Sequence, residues 1–380
     1  MQIQPILSFF QNRQPEIVES IRALVEIESP SLDEEGSRAA VDYLLKKAEN
    51  LRSVGKIERI YRAGFGEHLV IRAFEDSPVK PILLLGHTDT VYPRGSFDQN
   101  PTRIEGDKFY GCGVFDMKSN CVLMLEILRA FEELNLSPAR PINILLSCDE
   151  EIGSDTGREL VEREAQNAAF ALVCEPSANG NVKTGRKGTA WFNLKAQGIP
   201  AHAGLEPQKG ASAILELARQ TEKLHALNNY EVGTTVNVCT IKGGTTSNVI
   251  PEFADAEIDV RFSSLSEAQK IVREIEDLQS FDERVVLTLE GGINRPPLER
   301  TAQVVAFYQK ARQLAVEMNY NLGETQVGGA SDGNFVGAMN IPVLDGLGIK
   351  GDGAHTHHEH ILISDIPHRA ALISALLLSL

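Results

Sequence analysis

Hydrophobic and polar positions follow two different rhythms along the chain. Near the start, apolar residues recur at helical spacing over 16–26 and 37–51, so we predict that two helices open the chain. Short continuous apolar runs come later, and such runs predict strands that are buried on both faces of a sheet. They lie at 82–85, 142–146 and 170–173, and a helical run at 121–134 separates the first two. This alternation predicts an α/β domain with a mixed, largely parallel sheet flanked by helices.

The rhythm changes after Pro176. From about residue 183 to about residue 292 the pattern predicts a strand, a helix, two strands, a helix and a strand, which is the βαββαβ order of a ferredoxin-like unit. A long helical pattern resumes after Pro296 and Pro297, as expected if the unit is an insertion. We therefore predict a discontinuous α/β domain, 1–182 and 293–380, and an inserted α+β domain, 183–292.

Composition narrows the classes of function. The chain has 380 residues, of which 42% are hydrophobic, and this supports a sizeable core. Its formal net charge of −15 repels nucleic-acid phosphates and anionic lipid surfaces, so we expect neither nucleic acid nor a membrane as a partner. The longest apolar runs are shorter than the roughly 18 residues that a membrane-spanning helix requires.

The cysteines and the N-terminal segment favour a reducing compartment. Five cysteines form an odd set without a close CxxC pair, which argues against a disulfide framework and a structural zinc knuckle. The N-terminal segment lacks the basic stretch and long apolar run of a secretory signal. The expected location is cytoplasmic.

Histidine and carboxylate residues follow the predicted strands where the strands end. His87 comes after the first strand, Glu150 and Glu151 after the second, and Glu175 after the third. Ligands gather at the carboxyl ends of parallel strands, so we expect these side chains to meet at one edge of the sheet. Asp89 lies on the same side of an extended segment as His87 and could orient its imidazole. Taken singly, each residue has an ordinary alternative as a turn histidine or a solvated acid.

Two further segments carry candidate residues. Asp116 stands between a glycine-containing segment and the next predicted helix, where its ordinary role would be that of an N-cap. The glycines around it match neither a dinucleotide fingerprint nor a Walker loop. His355 opens a cluster of four histidines within the segment 355–360, and a metal-scavenging loop is the alternative there.

These residues together predict a site for two divalent ions. Such ions, about 3.5 to 4 Å apart, need a carboxylate between them and nitrogen and oxygen ligands outside. Asp116 can be the bridge, and Glu150 remains as an unbound neighbour able to take a proton from a metal-held water. The outer ligands would be His87 and Glu175 on one ion, and Glu151 and His355 on the other.

The motifs around these residues resemble those of a known family. It is the family of co-catalytic zinc peptidases that includes carboxypeptidase G, acetylornithine deacetylase, succinyl-diaminopimelate desuccinylase and aminoacylase. The resemblance covers nearly the whole chain and is closest to the carboxypeptidase G type, which removes C-terminal glutamate. The motifs that carry it lie at 24–31, 87–89, 116–118, 149–154, 175–176, 201–204, 247–251 and 328–332.

The resemblance implies roles for the clustered residues. Two zinc ions per subunit, replaceable by Co²⁺ or Mn²⁺, would be bound by the five ligands named above. Asp89 would support His87, and Glu150 would be the general base and acid. His355 is preferred as a ligand because Glu359 follows it by four residues, as in the family pattern. His357 and His358 remain alternatives to His355.

The resemblance also implies how a substrate is held. The inserted domain is similar to a lid and dimerisation domain, and His202 would reach the active site of the other subunit of a homodimer. The expected substrate is a small peptide or N-acyl amino acid, with release of a residue such as glutamate. Deacylation of N-acyl amino acids is the alternative, and a non-catalytic metal-stabilised binding protein is a more distant one. The substrate-binding candidates are Asn248, Arg261, Lys183, Arg295 and Gly329.

Overall fold

The computed structural model describes residues 3–380, which fold into two compact units. The large unit contains the described residues up to Thr184 together with Arg300–Gln326 and Ser331–Leu380. The inserted unit contains Gly185–Glu299 and Val327–Ala330.

Helices and strands alternate through most of the described chain. The helices are α1 (Gln4–Asn12), α2 (Gln14–Val25), α3 (Glu34–Ala48), α4 (Ser96–Gln99), α5 (Ser119–Glu133), α6 (Arg158–Asn167), α7 (Ala213–His225), α8 (Leu265–Glu276), α9 (Ala302–Glu317), α10 (Gly333–Ala338) and α11 (Ile366–Ser379). The strands are β1 (Val54–Arg62), β2 (Gly66–Ala73), β3 (Ile82–His87), β4 (Arg103–Glu105), β5 (Lys108–Tyr110), β6 (Ile142–Ser147), β7 (Phe170–Val173), β8 (Val182–Arg186), β9 (Gly188–Gln197), β10 (Ala201–His202), β11 (Thr235–Gly243), β12 (Val249–Ile250), β13 (Phe253–Phe262), β14 (Val286–Arg295), β15 (Glu324–Val327), β16 (Val343–Leu344), β17 (Gly351–Asp352) and β18 (His360–Leu362).

The large unit is built on a six-stranded sheet with the order β1-β2-β6-β3-β7-β16. β6, β3, β7 and β16 run parallel, while β1 and β2 pair in antiparallel fashion at one edge. Every residue of β3 and β6 is buried, which explains why these strands read as continuous apolar runs rather than alternating ones. The predicted mixed, largely parallel sheet is confirmed.

Three helices open the chain, so the prediction of two was wrong. The helix that the pattern missed is α1, which has a proline in its first turn. Proline is accommodated there because the first N–H groups of a helix have no intrahelical partner. Ile6, Leu7 and Phe10 form the buried stripe of α1. The two predicted helices correspond to α2 and α3 with shifted ends.

The inserted unit has its own antiparallel sheet, with the order β11-β13-β9-β14. Its main elements follow in the predicted βαββαβ order, as β9, α7, β11, β13, α8 and β14, with the short pair β10 and β12 added. Both helices contact the sheet and enclose a separate apolar core. The unit continues beyond residue 292 because β14 runs to Arg295 and the Leu298 N–H still donates to the Arg186 carbonyl at 3.0 Å.

Two general properties concern the environment of the protein. Within residues 3–380, no helix is both long and apolar enough to cross a membrane. The five cysteines are all free thiols, in agreement with their odd number and spacing.

Candidate metal centre

The candidate ligands lie at the carboxyl edge of the central sheet because three neighbouring parallel strands end there. His87 is the last residue of β3, which lies between β6 and β7. Glu151 follows β6 in the short helical turn Glu150–Ile152, and Glu175 follows β7. The strand-end pattern in the sequence therefore corresponds to one location in the large unit.

Asp116 lies between two imidazoles, with a different carboxylate oxygen facing each. Its Oδ1 is 3.2 Å from Nε2 of His87, and its Oδ2 is 3.5 Å from Nε2 of His355. His87 Nε2 also lies 3.4 Å from Glu175 Oε1, and His355 Nε2 lies 3.2 Å from Glu151 Oε2. The five predicted ligands thus form two groups of three that share Asp116, and in each group the ligand atoms lie within 4.8 Å of one another.

The backbone around Asp116 is irregular and is held by a buried side chain. Asp116 is in the turn Val114–Lys118 ahead of α5, with φ −116° and ψ 92°, so it is not the helix N-cap that its position allowed. The Glu359 carboxylate accepts the backbone N–H groups of Phe115 at 2.8 Å and of Asp116 at 3.0 Å. These hydrogen bonds fix the backbone at Asp116 and therefore the direction in which its side chain points.

Asp89 links the two sides of the cluster. His87 Nδ1 donates to the Asp89 carbonyl at 3.0 Å and lies 3.3 Å from its Oδ1, so the ring presents Nε2 to the site. The Asp89 carboxylate also accepts the backbone N–H of Glu150 at 3.2 Å, the N–H of Glu151 at 3.1 Å and the Ser31 hydroxyl at 2.7 Å. Asp89 therefore positions the turn that carries the predicted base as well as the first histidine.

The charges of the cluster match a site made for cations. Burial alone would lower the pKa of His87, but hydrogen bonds to Asp116, Asp89 and Glu175 raise it well above the ordinary value. Hydrogen bonds to Asp116 and Glu151 raise the pKa of His355 to about 10. Burial would raise the pKa of Asp116, yet the two imidazoles hold it below its ordinary value. Protons on the imidazoles thus offset the carboxylates, and divalent ions would replace them.

The donor set fits zinc or a similar divalent ion. Two imidazoles and three carboxylates are nitrogen and oxygen ligands of the kind that zinc takes in hydrolytic sites. Oε1 of Glu151 is buried without a hydrogen-bond partner, and a buried carboxylate oxygen of this kind needs a cation or a proton. Burial also raises the pKa of Glu151. These five side chains are the residues that would hold divalent metal, and they would supply its nitrogen and oxygen ligands.

In the histidine cluster near the C-terminus, His355 lies closest to the other candidate ligands among the pairs that the described residues form. His355 follows β17 in a left-handed backbone conformation, with φ 64°, and its imidazole meets Asp116 and Glu151. The metal-ligand groups formed by the described residues include His355 but neither His357 nor His358, whose residues are exposed. A cavity of about 640 Å³ adjoins His355 and is lined in part by Tyr92 and by these two histidines.

The predicted basic substrate-binding residues are divided between the two units. Lys183, in the large unit, is buried, and its backbone N–H donates to the Asp345 carbonyl at 2.7 Å. In the inserted unit Arg295 is buried at the end of β14, while Arg261 is half-buried and forms a 2.7 Å ion pair with Asp259.

His202 ends β10, and Asn248 directly precedes β12, the strand that pairs with β10. The backbone N–H groups of Gly204 and Leu205 donate to Nδ1 of His202 at 3.1 and 3.2 Å. The ring proton is therefore on Nε2, which makes the exposed imidazole a hydrogen-bond donor. The Asn248 carbonyl accepts the Ala203 N–H at 2.9 Å, so these two predicted residues belong to one local structure.

Sequence reasoning missed the residues that support the site. Arg186 Nη1 donates to the carbonyls of Gly329 at 3.3 Å and Ala330 at 3.0 Å, which holds the loop of the predicted substrate-binding glycine. Asp332 accepts the hydroxyls of Ser147 and Ser154 at 3.0 and 2.5 Å, on either side of the Glu150 turn. The motif at 328–332 contained Asp332, but only the fold shows what it contacts.

A parallel sheet whose carboxyl edge gathers two imidazoles and three carboxylates is the arrangement of a metallohydrolase. Comparison with known proteins makes the class specific. The chain belongs to peptidase family M20/M25/M40, whose family model matches residues 83–379. Members of this family are metal-dependent peptidases or amidohydrolases, and the resemblance found in the sequence is confirmed.

Individual relatives share most of their length with the chain. It is 29% identical to carboxypeptidase G2 of Pseudomonas sp. (strain RS-16), over 97% of this chain and 90% of the relative. It is 30% identical to succinyl-diaminopimelate desuccinylase of Acinetobacter baumannii, over 84% of this chain and 88% of the relative. The crystal structure of aminopeptidase PepT from Bacillus cereus has the same fold, with a TM-score of 0.80, 22% identity and coverage of 96% and 98% of the two chains.

Proposed function

We propose that this protein is a two-zinc carboxypeptidase that releases a C-terminal amino acid such as glutamate from small peptides or N-acyl amino acids. The observation that supports the two-metal site is the position of Asp116, with one carboxylate oxygen toward each of His87 and His355. The similarity to carboxypeptidase G2 over 97% of the chain supports the substrate class.

The proposed reaction is hydrolysis of an amide bond. Bound metal ions supply Lewis acidity to the carbonyl and lower the pKa of the attacking water. Glu150 takes a proton from that water as the oxygen bonds to the carbonyl carbon. It returns the proton to the amide nitrogen as the C–N bond breaks, which gives a carboxylic acid and an amine.

Asp89 would hold the proposed base and the metal ligands beside it in fixed relative positions. Its carboxylate holds the backbone of both Glu150 and Glu151, so the base and a ligand of one ion are positioned by the same side chain. Because Asp89 also orients His87 of the other ion, a change in its geometry would affect both halves of the site.

His202 is proposed as the donor to the oxyanion that forms at the carbonyl. Its Nδ1 is occupied by two backbone N–H groups, so the Nε2–H is the group it can offer. A neutral donor at that position stabilises negative charge that develops in the transition state. We propose that this imidazole acts in the partner subunit of a homodimer.

Arg295, which is buried at the end of β14, is proposed to hold the free carboxylate of the substrate. Lys183, Asn248 and Gly329 are proposed as further substrate-binding residues. A guanidinium grips a carboxylate through two parallel hydrogen bonds. Arg261, the other candidate, already donates to both carboxylate oxygens of Asp259 at distances of 2.7 to 3.1 Å.

The homodimer is proposed to form through the inserted unit. β11 is an edge strand of its sheet, and large apolar side chains are exposed nearby, including Ile241 (50%) and Phe253 (58%). Exposed edges and apolar groups of this kind favour pairing with another chain. Sedimentation of the protein with and without Ile241→Lys tests this, and a monomeric unsubstituted protein would reject it. The free thiols suit the cytoplasm, which we propose as the location.

Deacylation is the second candidate, since the chain is also 30% identical to a desuccinylase over 84% of its length. A panel of N-benzoyl-glutamate, N-succinyl amino acids, N-acetylornithine and dipeptides separates the two. The carboxypeptidase proposal predicts that changing the released residue alters kcat/KM more than changing the acyl group. The reverse order would favour the deacylase.

The role of Glu150 is tested by Glu150→Gln, with Glu133→Gln as the control on an exposed glutamate of α5. We expect zinc content to be unchanged in both variants and kcat to fall by roughly 10² to 10⁴-fold only in Glu150→Gln. Normal turnover by Glu150→Gln with two bound zinc ions would reject the base assignment.

A further inference from the structure

Glu359 is the most completely bonded carboxylate next to the candidate site. Its side chain is fully buried, and neither oxygen faces solvent. Oε1 accepts the backbone N–H of Phe115 at 2.8 Å and of Asp116 at 3.0 Å. Oε2 accepts the Gly113 N–H at 3.2 Å and a short hydrogen bond from the Tyr92 hydroxyl. Three of the four partners are backbone N–H donors, so both oxygens of the side chain accept hydrogen bonds from the main chain.

The three backbone donors belong to the segment that carries the shared ligand. Gly113 has φ 74°, and a side chain there would meet Thr90 at 2.5 Å, so the chain makes a tight turn just before Asp116. Nearby N–H groups that point toward one carboxylate form an anion-binding concavity, as in backbone nests. Here the Glu359 carboxylate takes the place of a bound anion, and its hydrogen bonds hold the turn that contains Asp116.

Glu359 also ends the loop that carries His355. The Glu359 backbone continues the pairing of β18 with β5, since its carbonyl accepts the Gly111 N–H at 3.3 Å. Its own N–H donates to the Thr356 carbonyl at 3.1 Å, which closes the loop directly after His355. One residue is therefore bonded both to the Asp116 turn and to the His355 loop.

The other half of the site has separate support. His87 is fixed at the end of β3 and by Asp89, and its side chain is fully buried. His355 is on a loop, and its side chain is 50% exposed. Loss of the Glu359 bonds would consequently disturb the alignment of the His355 loop with Asp116, whereas His87 keeps the separate support of β3 and Asp89.

We propose that Glu359 is a positioning residue that aligns Asp116 with His355 and thereby sets the affinity of the ion held by Asp116, Glu151 and His355. This inference rests on the proposed two-metal function. It assigns the selective effect to one ion because only that ion depends on the His355 loop. Residues that orient metal ligands without touching the metal typically change affinity by about 10 to 100-fold.

The test compares zinc binding by Glu359→Gln with that of the unsubstituted protein. Gln can accept at one oxygen only, so its NH₂ group would face the Gly113 N–H or the Tyr92 hydroxyl. Stepwise affinities are measured by competition with a zinc-binding dye, and the Co²⁺-loaded proteins are compared by visible absorption. We expect one ion to lose about 10 to 100-fold in affinity, the other ion to change by less than about threefold, and the Co²⁺ spectrum to change.

A control variant separates positioning from general destabilisation. Glu164→Gln changes a buried glutamate of α6 that is paired with Arg72 at 2.7 Å and is not one of the candidate metal ligands. We expect this control to keep the two zinc affinities and the Co²⁺ spectrum of the unsubstituted protein.

Three outcomes would decide the proposal. Selective loss of one ion in Glu359→Gln supports it. Unchanged affinities, or equal loss of both ions in Glu359→Gln and Glu164→Gln, would overturn it. If Glu359→Gln does not fold, Glu359→Asp, which keeps the charge but shortens the reach, replaces it with the same expected result. Failure of the unsubstituted protein to bind two ions would instead reject the two-metal function.

Discussion

Oδ2 of Asp89 accepts the backbone N–H of Glu151 at 3.1 Å, so a residue just after β3 holds the turn that follows the neighbouring strand β6. The adjacent oxygen accepts the Glu150 N–H at 3.2 Å. We expect Asp89→Asn to lower kcat by about 10 to 100-fold, because the amide nitrogen cannot accept, so that one of the two backbone bonds is lost and His87 loses its orienting carboxylate. Steady-state kinetics with the zinc content checked in parallel measures this. Unchanged kcat at full zinc occupancy would contradict the assigned role.

His355 is expected to be the histidine of its cluster that binds metal. His355→Ala should lower zinc content after dialysis from two equivalents toward one, since its Nε2 lies 3.2 Å from Glu151 and 3.5 Å from Asp116. His357→Ala and His358→Ala, on the same exposed loop, are the matched controls and should keep both ions. Loss of zinc in either control, with retention in His355→Ala, would move the ligand to another histidine.

Substitution of Arg295 and substitution of Arg261 are expected to change KM to different extents. Arg295→Ala should raise KM for N-benzoyl-glutamate by about 10 to 100-fold, because a hydrogen-bonded charge pair contributes about 1.5 to 3 kcal/mol. Arg261→Ala should change KM less, since Asp259 already binds that guanidinium. The same comparison of KM is made with an amide substrate that lacks the free carboxylate. If Arg295→Ala raises KM only for N-benzoyl-glutamate, the carboxylate is the group that Arg295 recognises. A larger effect of Arg261→Ala would return the role to Arg261.

The burial of His68 predicts an acid-sensitive step in the stability of the large unit. Burial lowers the pKa of this side chain to about 4, and its Nε2 is bonded to the Thr156 hydroxyl at 2.9 Å. The folded protein stays neutral at His68 while the unfolded chain takes up a proton near pH 6.5, so stability is present above that pH and is lost as pH falls toward 4. Relative to His68→Gln, we expect about 2 to 3 kcal/mol of extra loss between about pH 7 and about pH 4.5.

Urea unfolding of the two proteins across this range measures the difference. The His68→Gln protein is the reference, because every titratable group except His68 is present in both proteins. Parallel curves of unfolding free energy against pH for His68→Gln and the unsubstituted protein would contradict the assignment.

The sequence was informative where a local pattern maps directly onto position in space. The buried strands ending at His87, Glu150 and Glu175 could be recognised because apolar runs mark parallel strands and parallel strands share one carboxyl edge. The order of elements in the inserted unit followed in the same way. α1 was missed because its pattern is short and its proline, read in isolation, argues against a helix.

Other features depend on contacts between distant parts of the chain. Glu359 was useful in the sequence only as a spacing from His355, whereas its bonds to Gly113, Phe115 and Asp116 span more than 240 residues. Asp89 could be expected to orient His87 two residues away, but not to hold the Glu150 turn. Such contacts are set by how strands and loops are placed by the whole fold, and no local periodicity records them.

One measurement bears on the two-metal site above all others. The metal-free protein is titrated with zinc while bound metal and hydrolysis of N-benzoyl-glutamate are followed together, and chelation is used to reverse the titration. We expect two tightly bound equivalents, with amide cleavage that appears as they bind and disappears on chelation. Full turnover without bound metal, or two bound ions with no cleavage of any N-acyl amino acid or dipeptide, would contradict the proposed function.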